Sequence, residues 1–173
     1  MTARIRFHSI LVLVLLPAAC TSPDAVRPAP RPDPDRRAAV EAIRASGRVD
    51  ESAVQVNPLR DPAVEGFLSA ARTEEAAARY DAAVAALERA LKLAPDAPDL
   101  VQEQAELEFL RGDYVQAEKL AVRSFQLGPR VGSLCRRNWQ TVIEARRIFD
   151  DPATLADAER RQAACKVAAP VRM

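Results

Sequence analysis

Between residues 80 and 129 the chain repeats itself at a fixed interval, and that interval restricts the folds open to it. Tyr80 returns as Tyr114, Ala83 as Ala117 and Pro95 as Pro129, each 34 residues on, and Ala90 is matched by Ser124. A period of this length marks a supersecondary unit that cannot bury its apolar face alone and must stack on a neighbour. Pro95 and Pro129 lack the amide hydrogen that would continue a helix, so each closes a unit. The small residues at 83 and 117 let neighbouring helices approach closely. Tyr80 and Tyr114 are large rings that recur three residues ahead of those small positions, where they can wedge one helix against another. Leu87, Leu91, Leu120 and Leu127 are expected to fill the space between layers. Composition agrees, since 49% of the chain is apolar but only 5% is aromatic, with five glycines, a balance that suits close-packed helices better than sheet.

The matching residues are Ala78-Arg79-Tyr80 with Ala83, Leu87, Ala90 and Pro95, then Gly112-Asp113-Tyr114 with Ala117, Ala121, Ser124 and Pro129. In this order and at this period they resemble the tetratricopeptide repeat, and the Gly-Asp-Tyr triplet is the most diagnostic piece. The resemblance implies two antiparallel helices per repeat, over about Val64–Ala97 and Pro98–Val131. The first helices are diverged, with Ala70-Ala71 and Glu74, then Gln104-Ala105 and Glu108, where the family favours Leu-Gly and tyrosine. The expected fold class is all-α, a short helical-hairpin solenoid behind a proline-rich tether. The expected parts are a signal over 1–19, a linker with a short helix over 20–60, two repeats over 61–131, and a capping hairpin with tail over 132–173.

The first residues read as a processing segment. Arg4 and Arg6 precede the aliphatic run Ile10–Leu16, and Pro17, Ala18 and Ala19 lead to Cys20. The run is too short for a membrane span of about 20 residues and has the layout of a secretory signal. A cysteine directly after Ala18-Ala19 makes it resemble a bacterial lipoprotein signal, which implies that Cys20 is lipidated and becomes the N-terminus. Thr21 follows where inner-membrane lipoproteins carry Asp, so the resemblance implies an outer-membrane anchor facing the periplasm. An ordinary cleaved signal with an incidental cysteine is the alternative. Residues 21–36 hold five prolines and little apolar mass, the composition of an extended spacer. Ala38–Ser46 reads as a short helix ended by Gly47, Arg48–Arg60 as a connector, and Asp61-Pro62 as a helix cap and start.

The full chain carries 25 basic and 24 acidic side chains; loss of residues 1–19 removes two arginines and no acid. No basic footprint for nucleic acid remains, and attachment to a membrane would come from lipid rather than a polybasic patch. The same cleavage removes His8, the only histidine, and with it imidazole catalysis and histidine-ligated metal. No phosphate loop, nucleophile elbow or metal cluster is present, so neither a cofactor nor an enzymatic activity is expected. Glu74-Glu75, Glu103 and Glu106 have the spacing of a solvated helix face, and a lone Trp139 on an apolar stripe reads as core.

Ser133–Phe149 and Pro152–Lys166 read as a diverged last hairpin capping the array. Cys135 and Cys165 each lie about 20 Å from its turn at 1.5 Å per residue, which places them at one height on antiparallel helices. A disulfide is expected there; two buried free thiols are the alternative. The tetratricopeptide resemblance further implies a partner-binding concave surface lined by first helices. Its register puts Leu68, Arg72, Gln102, Glu106, Phe109, Arg136 and Gln140 on that surface. The expected partner is another envelope protein or peptide segment, with Arg72 and Arg136 gripping a carboxylate. A passive lipoprotein that self-associates, with no client, is the alternative function.

Overall fold

The computed structural model describes residues 35–48 and 59–166. The signal segment, Cys20, residues 21–34 of the linker, residues 49–58 of the connector and the tail beyond Lys166 lie outside the described residues. Seven helices follow in order: α1 Arg36–Arg48, α2 Pro62–Ala76, α3 Tyr80–Leu93, α4 Pro98–Arg111, α5 Tyr114–Leu127, α6 Gly132–Phe149 and α7 Pro152–Ala163. Among the described residues there is no strand, and no helix is long and apolar enough to cross a membrane.

Local chemistry sets most of these boundaries. The Asp61 carboxylate accepts from the Ala63 amide at 2.7 Å, and Pro62 opens α2 with its φ already suited to a helix. Asp113 caps α5 through Gln116 N at 2.9 Å, and Asp151 caps α7 through Thr154 N at 3.1 Å ahead of Pro152. Gly112 closes α4 with φ 91°, a left-handed conformation that glycine adopts without strain. Thirty-four residues earlier Ala78 takes the same kind of turn with φ 58°, against the steric preference of a residue with a Cβ. Asp150 does likewise between α6 and α7 with φ 54°.

The helices pair as hairpins α2–α3, α4–α5 and α6–α7, stacked through contacts of α3 with α4 and of α5 with α6. Ala83, Ala90, Ala117 and Ala121 are fully buried, so the helices close to short range there. Ser124 stands where the first repeat has Ala90. Its buried hydroxyl donates to the Pro98 carbonyl at 2.6 Å, stitching the end of α5 to the start of α4. Helix α4 has nine buried residues in fourteen, because α1, α3, α5 and α6 all touch it. One apolar cluster spans α1 to α6 and includes Ile43, Leu68, Leu87, Phe109 and Phe149. A second joins α4 to the last hairpin through Val101, Leu120, Trp139, Ile143 and Ala158. Cys135 and Cys165, both buried in this second cluster, are joined by a disulfide with Cα atoms 5.6 Å apart.

Three local expectations are corrected. Leu127 sits at the last turn of α5 and is 39% exposed, so it does not fill the inter-layer space as Leu87 and Leu120 do. Helix α7 stops at Ala163 rather than Lys166, and the following turn carries Cys165 back so that its carbonyl accepts from Gly132 N at 2.7 Å. Gly47 does not end α1; it lies inside the helix. The folded body also begins earlier than Asp61, since α1 packs chiefly on α6 and also touches α4.

Candidate interaction groove

The first helices of the three hairpins, α2, α4 and α6, form one face, and α1 lies across it. Val40 and Ile43 point one helical turn's worth of aliphatic surface inward and are 2% and 0% exposed. Arg36 Nη1 donates to the Leu110 carbonyl at 3.0 Å, at the end of α4 where a C-terminal carbonyl needs a donor. At the other end of α1, Arg136 Nε of α6 donates to the Ser46 carbonyl at 3.0 Å. Gly47 allows the close approach between them, because a Cβ there would stand 2.8 Å from Arg137 Cγ.

The centre of the face is ionic. Arg44 forks onto Glu75, with Nη1 and Nη2 at 2.8 and 3.1 Å from its two oxygens, and turns Nε to Glu106 at 2.8 Å. Glu106 is wholly buried and receives Arg137 on its other oxygen at 2.6 Å. Gln102, also wholly buried, donates to Glu106 at 2.9 Å and to Thr141 Oγ1 at 2.8 Å. A carboxylate this deep is tolerable only when paired and hydrogen-bonded, and two guanidiniums and an amide satisfy it. Burial works against the charge on Arg44, but its hydrogen bond to Glu75 and the charge of Glu106 outweigh that and push its pKa above the ordinary arginine value.

The side chains expected on the concave surface therefore divide. Leu68, Gln102, Glu106 and Phe109 are all 0% exposed and offer nothing to a partner in this arrangement, a correction with two causes. Gln102 and Glu106 are consumed by the network that docks α1. Leu68 belongs to the main core, and Phe109 packs edge-on against Tyr114 with ring centroids 4.9 Å apart. Arg136 and Gln140 are half-buried, and Gln140 donates to Glu144 at 2.6 Å and accepts from Gln162 of α7 at 2.5 Å. Arg72 remains exposed, pairing with Glu103 at 2.9 Å. Repeat register did not show that α1 covers this face. Arg137 was not singled out, Arg44 was read only as part of a short helix, and Glu75 and Glu106 were read as a solvated helix face, which the wholly buried Glu106 is not; the signal was an arginine one residue after the aliphatic Val40–Ile43 pair.

Helix α1 leaves part of the face open. Beside its last turn is a cavity of about 630 Å³, walled by Arg48 of α1, Arg72 and Glu75 of α2, Glu103 of α4, and Ser133 and Arg137 of α6. Guanidiniums and carboxylates both line it. Such a lining recognises charged or strongly polar side chains and gives an apolar small molecule little to hold. Among the described residues no group of histidine, cysteine and acid side chains is arranged to hold a metal ion.

The tetratricopeptide-repeat family model matches residues 64–107, the first hairpin and most of α4. None of the curated proteins matches the chain. Among solved structures, the globular C-terminal domain of P. aeruginosa LpoP is similar at 30% sequence identity and a TM-score of 0.55. The match covers 61% of this chain and 98% of that domain, so almost the whole of the solved domain has its counterpart here. On these two matches and the stacked hairpins, the chain belongs to the tetratricopeptide-repeat family and is a relative of LpoP.

Proposed function

We propose that this chain is a lipid-anchored scaffold of the bacterial envelope that binds another envelope protein and regulates a cell-wall enzyme or assists envelope assembly. Cys20 carries the lipid, the outer membrane holds it, and the folded hairpins face the periplasm. It works by binding and is not itself a catalyst. The observation that carries the reading is the partly open, charge-lined face of a tetratricopeptide array, with Arg72 and Arg48 at its rim. Likeness to the LpoP domain supports the envelope setting. Arg72 and Arg136 stay the proposed contacts for a carboxylate-bearing segment, while Cys135–Cys165 holds the last hairpin in an oxidising compartment.

A photo-crosslinking residue placed at Ala76, on the wall of the same cavity, in the intact envelope tests this. The expected product is a single adduct with an envelope protein, lost when Arg48 and Arg72 are both changed to Glu. Addition of the purified chain to that protein should change its activity on peptidoglycan. An adduct of the chain with itself would instead establish the self-associating alternative. Intact mass of membrane-extracted protein should show a chain beginning at Cys20 plus acyl groups; an unmodified soluble chain would overturn the anchor.

A further inference from the structure

Helix α1 is seated on the face as a ligand would be. It contacts every first helix of the array, through Glu75 of α2, Glu106 and Leu110 of α4, and Arg136 of α6. Only three of its thirteen residues are buried, Val40, Ile43 and Gly47, against nine of fourteen in α4. Thirteen residues make a marginal helix by themselves, so its order depends on those contacts. Beside the apolar seat of Val40 and Ile43, its contacts are exchangeable charge pairs and carbonyls that any suitably placed donor could satisfy.

We propose that the face of α2, α4 and α6 is a helix-binding groove whose resident α1 is a replaceable occupant. The partner it fits is an amphipathic helix that repeats the side-chain pattern of α1. That pattern is an arginine, an aliphatic four residues on, a second aliphatic after three more, an arginine directly following, and a small residue three further. The second arginine fills the place of Arg44 between Glu75 and Glu106, and the small residue passes Arg137 where Gly47 does. Glu106 sets the specificity: left without Arg44 it is a buried carboxylate with only Arg137 as its cation, so an occupant lacking that arginine is rejected. The inference rests on the reading of the chain as a partner-binding scaffold and adds how that partner is recognised and what it must displace.

Hydrogen exchange on the unaltered full chain is the first test. Amides of α1 should exchange at least about tenfold faster than those of α4, by local opening rather than global unfolding. Equal protection of the two helices would overturn the proposal. The second test adds a labelled peptide of residues 35–48 to the full chain carrying Arg44→Glu, which repels its own α1. Peptide should bind this variant at least about tenfold more tightly than the unaltered chain, and a peptide itself carrying Arg44→Glu should not bind. Failure of the normal peptide to bind a variant that retains its helical circular dichroism would overturn the groove. If Arg44→Glu does not fold, Val40→Ser takes its place with the same expectation. Doubling of mass in the unaltered full chain would mean that the occupant is α1 of a second copy, and the partner-helix version would fall. Peptide binding with no envelope crosslink would sink the scaffold reading alone. A crosslinked envelope partner with no peptide binding would sink the groove alone.

Discussion

Two turns 34 residues apart hold the same backbone with different side chains, and they make the cheapest test of how far this array is from its ideal form. Gly112 occupies the left-handed region freely, while Ala78 is forced into it at φ 58°. Ala78→Gly should stabilise the protein by about 0.5–1 kcal/mol, the relieved strain exceeding the added freedom of the unfolded chain. Gly112→Ala should destabilise it by about 1–2 kcal/mol, because an alanine must then enter that region. Its Cβ would also stand 3.0 Å from Arg36 Nη1, which holds the start of α1. Equilibrium denaturation of both variants checks the opposite signs. Asp113 has a similar lesson: it caps α5, whereas Arg79 at the equivalent position gives α3 no side-chain cap. The triplet Gly-Asp-Tyr is thus readable in the sequence because each of its members answers a local backbone need.

At the scale of elements, the last hairpin departs furthest from the repeat and is held by other means. The Cys135–Cys165 bridge spans 30 residues, and replacing both by Ala should cost about 3 kcal/mol on the chain-entropy account. Denaturation of the unaltered protein with and without reductant should reproduce that loss. Helix α7 also depends on acid side chains. The Thr154 hydroxyl and amide hold the Asp151 carboxyl below its ordinary value, and Arg161 and Arg160 do the same for Asp157. Carboxyls with lowered pKa in the fold contribute stability above their unfolded pKa, and that contribution is lost as pH falls through the folded one. From about pH 4 downward α7 should therefore loosen before α4, read as faster amide exchange in residues 152–163. The first two helical hairpins were legible from Tyr, Ala and Pro spacing, since each is closed by residues near in sequence. Leu127 was misjudged because periodicity gives a side chain's direction but not whether a neighbour continues far enough to cover the final turn.

For the molecule as a whole the decisive contact is the one that sequence could not show. Nothing in the pattern of residues 36–48 says where that helix docks, because its partners lie 31 to 90 residues away. The face on which Leu68, Gln102, Glu106 and Phe109 were expected to meet a partner was read from repeat register, and long-range packing then covered it. Glu106→Ala should accordingly cost about 3 kcal/mol, since it takes the carboxylate from Arg137 and from the buried Gln102 amide and leaves Arg44 with Glu75 alone. Arg72→Ala, which breaks an exposed pair with Glu103, should cost less than about 1 kcal/mol. Thermal denaturation of the two variants side by side separates the network from the rim. The position of α1 also has a mechanical meaning. The chain enters the fold at Arg36, so tension applied from the N-terminal side is carried first by the Leu110 carbonyl, then by Val40, Ile43 and the Arg44 pairs, and last by the Ser46 carbonyl on Arg136. Residues meet that load one after another, as in peeling, and a pull along this path strips α1 from α4 and from α6, whose own hairpin the disulfide holds closed meanwhile.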